Sequence, residues 1–222
     1  MKKRVLIGMS GGVDSSVSAI LLKEQGYEVI GITMYLWNEE KSVKDAKRVC
    51  NNLEIPHYTI DCKEQFRKYV VDDFENCYKC AKTPNPCVEC NKYLKFGALY
   101  QKAIELECDY IATGHYAKIE YNNEYDQFVL KKADNILKDQ SYFLYDINKE
   151  ILNKIIFPLE KYTNKEEIRN IAKKYNLTVA EKKESQEICF IPDNDYKGFL
   201  RTYANINPKH GNIVDKYGNI LR

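Results

Sequence analysis

Residues 10–16 are the first stretch of this sequence that could do chemistry. They read Ser-Gly-Gly-Val-Asp-Ser-Ser and lie between an apolar run and a helical pattern. Glycines in such a turn let backbone N–H groups face an anion, and the helix N-terminus and the serine hydroxyls add to the attraction. The loop has neither the lysine of a Walker A sequence nor a G-x-G-x-x-G pattern, so it predicts a phosphate site of another kind. The structural alternative is an ordinary strand-to-helix turn with Asp14 as its N-cap.

Cysteines supply the candidate nucleophiles. Cys87 and Cys90 follow two prolines in residues 83–92, and we expect Cys90 near the start of a helix. A helix N-terminus stabilises a thiolate and makes it nucleophilic at neutral pH. Cys189 stands far downstream among apolar residues, where a buried, unreactive thiol is the more common interpretation.

The cysteines also allow a metal-binding alternative. Cys77, Cys80, Cys87 and Cys90 form two C-x2-C pairs, a pattern typical of metal sites at longer separations. The short, proline-containing connection between the pairs weighs against one shared ion, and Cys77 falls on the apolar stripe of its helix. The cysteines predicted to be structural are Cys50, Cys62 and Cys108.

The elements that must position these residues follow from the hydrophobic pattern. Apolar runs alternate with helical patterns, which predicts a doubly wound, parallel α/β sheet. The predicted strands are residues 4–9, 28–35, 57–61 and 109–112, and the predicted helices are residues 15–25, 42–53, 63–78 and 91–106.

The pattern changes after Gly114. A hairpin is predicted around Asn122 and Asn123, and the stretch from Asp146 to Tyr175 is predicted to be helical. We therefore divide the chain into an α/β domain, a smaller, mostly helical segment and the start of a β domain. The boundaries of these three parts are residues 1–145, 146–205 and 206–222.

Composition excludes several classes of protein. The 34 basic and 32 acidic residues leave a net charge of +2, which does not favour strong global attraction to nucleic acid or membrane. The charged fraction of 30% and the mean hydropathy of −0.54 exclude an integral membrane protein. Eight cysteines without a secretion signal indicate a reducing, cytoplasmic location.

Six motifs in this order resemble the bacterial tRNA-specific 2-thiouridylases of the MnmA type, which are PP-loop ATP pyrophosphatases. The resemblance extends from end to end of the chain. The residues that carry it are 10–16, Gly31-Ile32-Thr33-Met34, 83–91, Thr113-Gly114-His115-Tyr116-Ala117, 138–144 and 185–192.

The resemblance implies a role for individual residues. The residues implied to bind ATP, with Mg²⁺ neutralising the pyrophosphate, are Gly8, Met9, Ser10, Gly11, Gly12, Val13, Asp14, Ser15, Met34 and Gly114. The residues implied to contact tRNA are Asn85, Pro86, Cys87, His115, Lys138, Asp139 and Gln140.

The implied chemistry is 2-thiolation of the wobble uridine of tRNA. Cys189 would carry a persulfide delivered by a sulfur-relay partner, and Cys90 would release the sulfur and end in a Cys90–Cys189 disulfide. The family often has Asp where this chain has Cys87. Because of this difference, the thiols of Cys87 and Cys90 compete for the role of the second catalytic thiol. A metal or iron–sulfur protein, or a PP-loop ligase acting on a small metabolite, are the alternatives from other classes.

The resemblance also implies a C-terminal β-barrel domain that helps to grip tRNA. Residues 211–214 predict a strand, and residues 219–222 only begin the returning one. An interrupted hairpin leaves an exposed edge that complete proteins cover or close. We therefore expect this chain to be the N-terminal part of a longer enzyme, which by itself binds ATP but forms no 2-thiouridine.

Overall fold

The structure is a computed structural model that describes residues 2–37, 40–182, 188–191, 194–206 and 211–221. A five-stranded, parallel sheet with the order β3-β2-β1-β4-β7 lies at its centre. Its strands are β1 (Arg4–Gly8), β2 (Glu28–Tyr35), β3 (His57–Asp61), β4 (Tyr110–Ala112) and β7 (Ile155–Ile156). The sheet is covered on both faces, which is why the central strand β1 is a continuous run of fully buried Val5, Leu6 and Ile7. The predicted parallel α/β fold is confirmed.

Helices pack on both faces of the sheet. One face carries α1 (Val13–Glu24), α2 (Glu40–Asn52) and α7 (Lys165–Lys174), whose apolar side chains share a core with Val5 and Ile7 of β1. The other face carries α6 (Leu99–Glu105) and two 3₁₀ turns, Ser141–Leu144 and Lys149–Lys154. This two-sided covering completes the doubly wound arrangement.

Two of the predicted long helices contain π-helical segments. Arg67–Val71 lies between α3 (Lys63–Phe66) and α4 (Asp72–Lys79), and Asn91–Ala98 lies between α5 (Pro86–Cys90) and α6. In the second segment the N–H of Leu99 donates to the carbonyl of Leu94, five residues earlier. π-Helical segments are rare in proteins, and those that do occur often lie at functional sites.

The stretch predicted to be wholly helical contains a strand of the main sheet. Ile155 and Ile156 form β7, which pairs in parallel with Ile111 and Ala112 of β4. A two-residue strand is too short to show a period, so the hydrophobic pattern could not reveal it. The boundary near residue 145 stays a prediction, and the elements beyond it share the core of the elements before it.

The remaining elements lie around this framework. The predicted hairpin forms from β5 (Lys118–Asn122) and β6 (Gln127–Lys131), and α8 (Tyr196–Tyr203) packs on a third apolar cluster beside the π-helical segments. Among residues 211–221, Val214 and Ile220 form one antiparallel bridge. Within the described ranges, every helix is too short or too polar to cross a lipid bilayer.

Candidate active site

The candidate site lies where the strand order reverses, between β1 and β4. In doubly wound sheets, ligands bind at this point outside the carboxyl ends of the strands. The loop after β1 leads into α1, and the loop after β4 approaches it so closely that a Cβ on Gly114 would lie 2.8 Å from the nitrogen of Ser15. Only glycine permits this approach of the two backbones.

Serine hydroxyls and one glycine with a positive φ shape the loop after β1. The N–H of Ser10 donates to Oγ of Ser15 at 3.2 Å, and the two hydroxyl oxygens are also 3.2 Å apart. Gly11 has a φ of +68°, and a Cβ there would lie 2.5 Å from the carbonyl oxygen of Ser42. Glycine is therefore required at this position for both its conformation and its lack of a side chain.

Asp14 does not cap the helix. The N-cap position of α1 is Gly12, which makes no side-chain cap hydrogen bond, so the capping alternative is wrong. The carboxylate of Asp14 instead accepts hydrogen bonds from Nζ of Lys165 at 2.6 and 2.8 Å and from the hydroxyl of Tyr116 at 2.9 Å. The loop is thereby tied to α7 by a partly buried ion pair.

A second lysine from the C-terminal half reaches the other side of the same loop. Nζ of Lys182 donates to the carbonyl oxygen of Gly11 and to Oδ2 of Asp45, both at 2.9 Å. Lys182 and Lys165 both lie in the C-terminal half of the chain, and together they hold the loop in place. Sequence reasoning missed both, because nothing local to either lysine indicates a partner more than 130 residues away.

One cavity of about 400 Å³ joins this loop to the cysteines. Most of the residues chosen from the sequence line it: Gly8, Met9, Ser10, Asp14, Ser15, Met34, Pro86, Cys87, Cys90, Gly114, His115, Gln140 and Cys189. A more open groove of about 580 Å³ lies beside Trp37 and Arg67, but none of the chosen residues lines it. The smaller cavity is therefore the candidate site.

The cysteines are placed differently from the sequence expectation. Helix α5 begins at Pro86, so Cys87 lies in its first turn and is exposed, whereas Cys90 ends this helix and is 7% exposed. The thiol at the helix N-terminus is thus that of Cys87. Cys189 is exposed and lines the cavity. The interpretation of Cys189 as a buried, unreactive thiol is therefore wrong as to its burial.

The other cysteines do not line this cavity. Burial raises the pKa of Cys50 to about 12, and it raises the pKa values of Cys62 and Cys108 to about 11. Cys77 is only partly buried, so its assignment to the core is wrong; its thiol donates to a carboxylate oxygen of Asp73. In the described part of the chain, no group of three or more His, Cys, Asp or Glu residues could hold a metal ion, and Cys77, Cys80, Cys87 and Cys90 all lie within that part.

His115 is held in one protonation state at the cavity wall. Its ring packs against Phe96 and Phe157, and its Nε2 lies 3.5 Å from Nζ of Lys95. Burial, and then the charge of Lys95, hold the pKa of His115 well below its usual 6.5. An ammonium group can only donate, so Nε2 accepts and Nδ1 carries the proton, which it donates to Oγ1 of Thr113 at 2.8 Å.

The remaining residues chosen for tRNA contact divide into those that line the cavity and those that do not. Gln140 lines the cavity, and its Oε1 accepts from the N–H of Tyr116. Asp139 instead accepts from the N–H of Ala133 and from the hydroxyl of Ser141, so it holds the local turn. Lys138 and Asn85 do not line the cavity, nor do Gly11, Gly12 and Val13 of the loop. Residues 185–187 and 192 of the last motif lie outside the described residues.

The fold and this cavity define a parallel α/β domain with a glycine-rich turn of the phosphate-loop type at its switch point. The chain belongs to the family described as tRNA methyl transferase HUP domain, which matches residues 3–193. It is 46% identical over 234 residues to the tRNA-specific 2-thiouridylase MnmA of Carboxydothermus hydrogenoformans, covering 99% of this chain and 64% of that protein. It is 49% identical over 235 residues to MnmA 1 of Caldanaerobacter subterraneus subsp. tengcongensis, covering 100% of this chain and 64% of the relative. The chain thus spans about 64% of the length of these curated relatives.

Solved structures share the fold at low identity. A 4-thiouridine synthetase in complex with RNA and bound ATP has a TM-score of 0.61 at 15% identity, covering 86% of this chain and 46% of that one. The NMN synthetase of Francisella tularensis has a TM-score of 0.52 at 19% identity, covering 82% of this chain and 66% of that one. At these identities the likeness supports the fold assignment alone.

Proposed function

We propose that this chain supplies the catalytic domain for ATP-dependent 2-thiolation of the wobble uridine in tRNA. The observation that carries the proposal is the single cavity whose wall includes Ser10 and Ser15 of the loop as well as Cys90 and Cys189. A phosphate site and two thiols in one cavity suit a reaction in which a group is first activated by a nucleotide and then displaced by sulfur. The names of the relatives point to the same chemistry.

The first step activates the base. The C2 oxygen of the uridine attacks the α-phosphorus of ATP, the bond to the β-phosphate breaks, pyrophosphate leaves, and the N3 proton is released. The proposed ATP-binding residues that line the cavity are Gly8, Met9, Ser10, Asp14, Ser15, Met34 and Gly114. Asp14 lines the cavity, and its carboxylate has about four lone-pair sites, of which three accept from Lys165 and Tyr116. Together with the phosphate oxygens, the remaining site would hold Mg²⁺. When bound, Mg²⁺ would neutralise the negative charge of the departing pyrophosphate.

The second step transfers sulfur. A persulfide on Cys189, delivered by a sulfur-relay protein, attacks C2 with its terminal sulfur, and the C2–O bond breaks to release AMP. The thiolate of Cys90 then attacks Sγ of Cys189, which breaks the persulfide bond, leaves the sulfur on C2 and forms a Cys90–Cys189 disulfide. The product takes up a proton at N3, and a dithiol reductant reopens the disulfide.

The surface around Cys87 is the proposed place of the target base. Pro86 and Cys87 line the cavity and Asn85 directly precedes α5, so a flipped uridine entering here would meet the thiols from the exposed side. His115 and residues 138–140 would contact the tRNA next to the base. The description of the family mentions methyl transfer, but the thiols of Cys90 and Cys189 on the cavity wall and the relatives' names favour sulfur transfer.

The test is mass analysis of tRNA nucleosides after incubation of the protein with ATP, Mg²⁺ and a persulfide donor. With a protein of the full length of the curated relatives, we expect 2-thiouridine, with AMP and pyrophosphate as the nucleotide products. Cys189→Ser and Cys90→Ser should each eliminate thiolation while pyrophosphate release continues, and Cys87→Ser should leave measurable thiolation. Cys80→Ser is the matched control, because Cys80 is exposed and does not line the cavity. ADP as the main product, or turnover without tRNA, would contradict the proposal.

A further inference from the structure

Lys95 places an ammonium group on the wall of the reaction cavity, where sequence reasoning did not expect one. Cys90 and Lys95 are five residues apart, which is about 140° of rotation in a regular α-helix, so an α-helical pattern puts them on different faces. The segment Asn91–Ala98 is π-helical, and bonds that span five residues stack each residue near the one five positions earlier. The π-helical geometry explains why both side chains line one cavity.

The charge of Lys95 is not neutralised by its surroundings. Its Nζ donates to the neutral ring of His115 at 3.5 Å, and a neutral imidazole accepts a hydrogen bond without cancelling the charge. Lys92, one turn earlier, differs in this respect, since it pairs with Asp146 at 2.7 Å. Across the described ranges no carboxylate pairs with Lys95. A positive charge therefore faces the cavity and is suited to an anionic ligand.

We propose that Lys95 binds the α-phosphate of ATP and stabilises the negative charge that develops there when the adenylate forms. This inference rests on the proposed function and adds a catalytic residue to it. The phosphate loop has no lysine of its own, and the two lysines that reach it are engaged with Asp14 and with Asp45. Lys95 lines the same cavity as Ser10 on the nucleotide side and Cys90 on the sulfur side, which is where the reacting phosphorus must lie.

The test compares the binding of AMP and of adenosine to the protein by calorimetric titration. A lost charge-assisted hydrogen bond predicts that Lys95→Met weakens AMP binding by about tenfold to a hundredfold. Adenosine lacks the phosphate, so its affinity should change less than about twofold by the same reasoning. Lys95→Arg should retain most of the AMP affinity because it keeps the charge. Lys92→Met is the matched control on the same helix and should change neither affinity.

Other outcomes would assign Lys95 to phosphate groups other than the α-phosphate, either in ATP or in the tRNA backbone. Weaker ATP binding with unchanged AMP binding would assign Lys95 to the β- and γ-phosphates and overturn the inference. Weaker tRNA binding with unchanged AMP binding would assign it to the tRNA backbone and would also overturn it. An absence of AMP binding by the unsubstituted protein would do the same.

A kinetic measurement tests the same assignment in the reaction itself. With tRNA present, and in a protein of the relatives' full length, Lys95→Met should lower kcat for pyrophosphate release more than it raises KM for ATP, because the charge develops in the transition state. Loading of persulfide onto Cys189 should be unaffected. The proposed function can fail separately: ADP formation, or a lack of 2-thiouridine with a protein of the relatives' full length, would refute it even if AMP affinity depends on Lys95.

Discussion

Acid should destabilise this protein through His115, and a glutamine at that position should remove the effect. The phenylalanine rings around His115 and the ammonium of Lys95 hold its pKa well below 6.5 in the folded protein. In the unfolded chain the ring has its ordinary pKa and takes up a proton near pH 6.5. Between the folded and unfolded pKa values, the unfolded state binds one more proton, so the free energy of unfolding falls as the pH falls.

The size of the effect follows from this difference in proton binding. A histidine that stays neutral in the folded state and titrates at 6.5 when unfolded lowers the free energy of unfolding by about 1.4 kcal/mol between about pH 7.5 and pH 5.5. Above this range it contributes nothing, since neither state is protonated. Glutamine cannot titrate, so His115→Gln should lack this part of the pH dependence whatever its stability at neutral pH.

The assay is urea denaturation followed by the fluorescence of Trp37, with a reductant present, at several pH values in this range. The wild type should lose about 1.4 kcal/mol more than His115→Gln as the pH falls. His57→Gln is the control, because burial and the charge of Lys47 lower the pKa of His57 independently. It should leave the contribution of His115 in place. Parallel profiles for the wild type and His115→Gln would refute the reasoning, because they would mean that the ring titrates equally in both states.

Three further outcomes are expected. Gly114→Ala should weaken ATP binding by about tenfold or more, because the new Cβ meets backbone at 2.8 Å and displaces the loop. Gly211→Ala meets nothing within 4 Å and should leave this affinity unchanged in the same titration. Lys165→Met should lower the free energy of unfolding by about 1–3 kcal/mol in the wild type and by less in an Asp14→Asn background, as a double-mutant cycle would measure. The Cys50 thiol, with a pKa of about 12, should resist iodoacetamide at neutral pH in the folded protein and react in urea, which peptide mass analysis can follow.

Local patterns in the sequence were sufficient to predict the framework of the site. The strands β2 and β3 have the predicted bounds, and the loop with Ser10 and Ser15 lies at the start of α1 as its glycines indicate. These features depend on residues that are neighbours in the chain. A buried parallel strand needs a continuous apolar run, and a phosphate loop needs glycines next to a helix. Such requirements are readable from one segment at a time.

The pairing of distant groups was decided only by the tertiary structure. Lys165 meets Asp14 across 151 residues, and β7 joins the sheet although two isoleucines carry no readable period. Lys95 shares the cavity with Cys90 because their helix is π-helical between them, and a sequence pattern assumes the regular α-helical rotation. The physical reason is the same in each case. Ion pairs, sheet edges and helix windings depend on how separate segments pack, and packing is a property of the whole chain rather than of the residues next to each group.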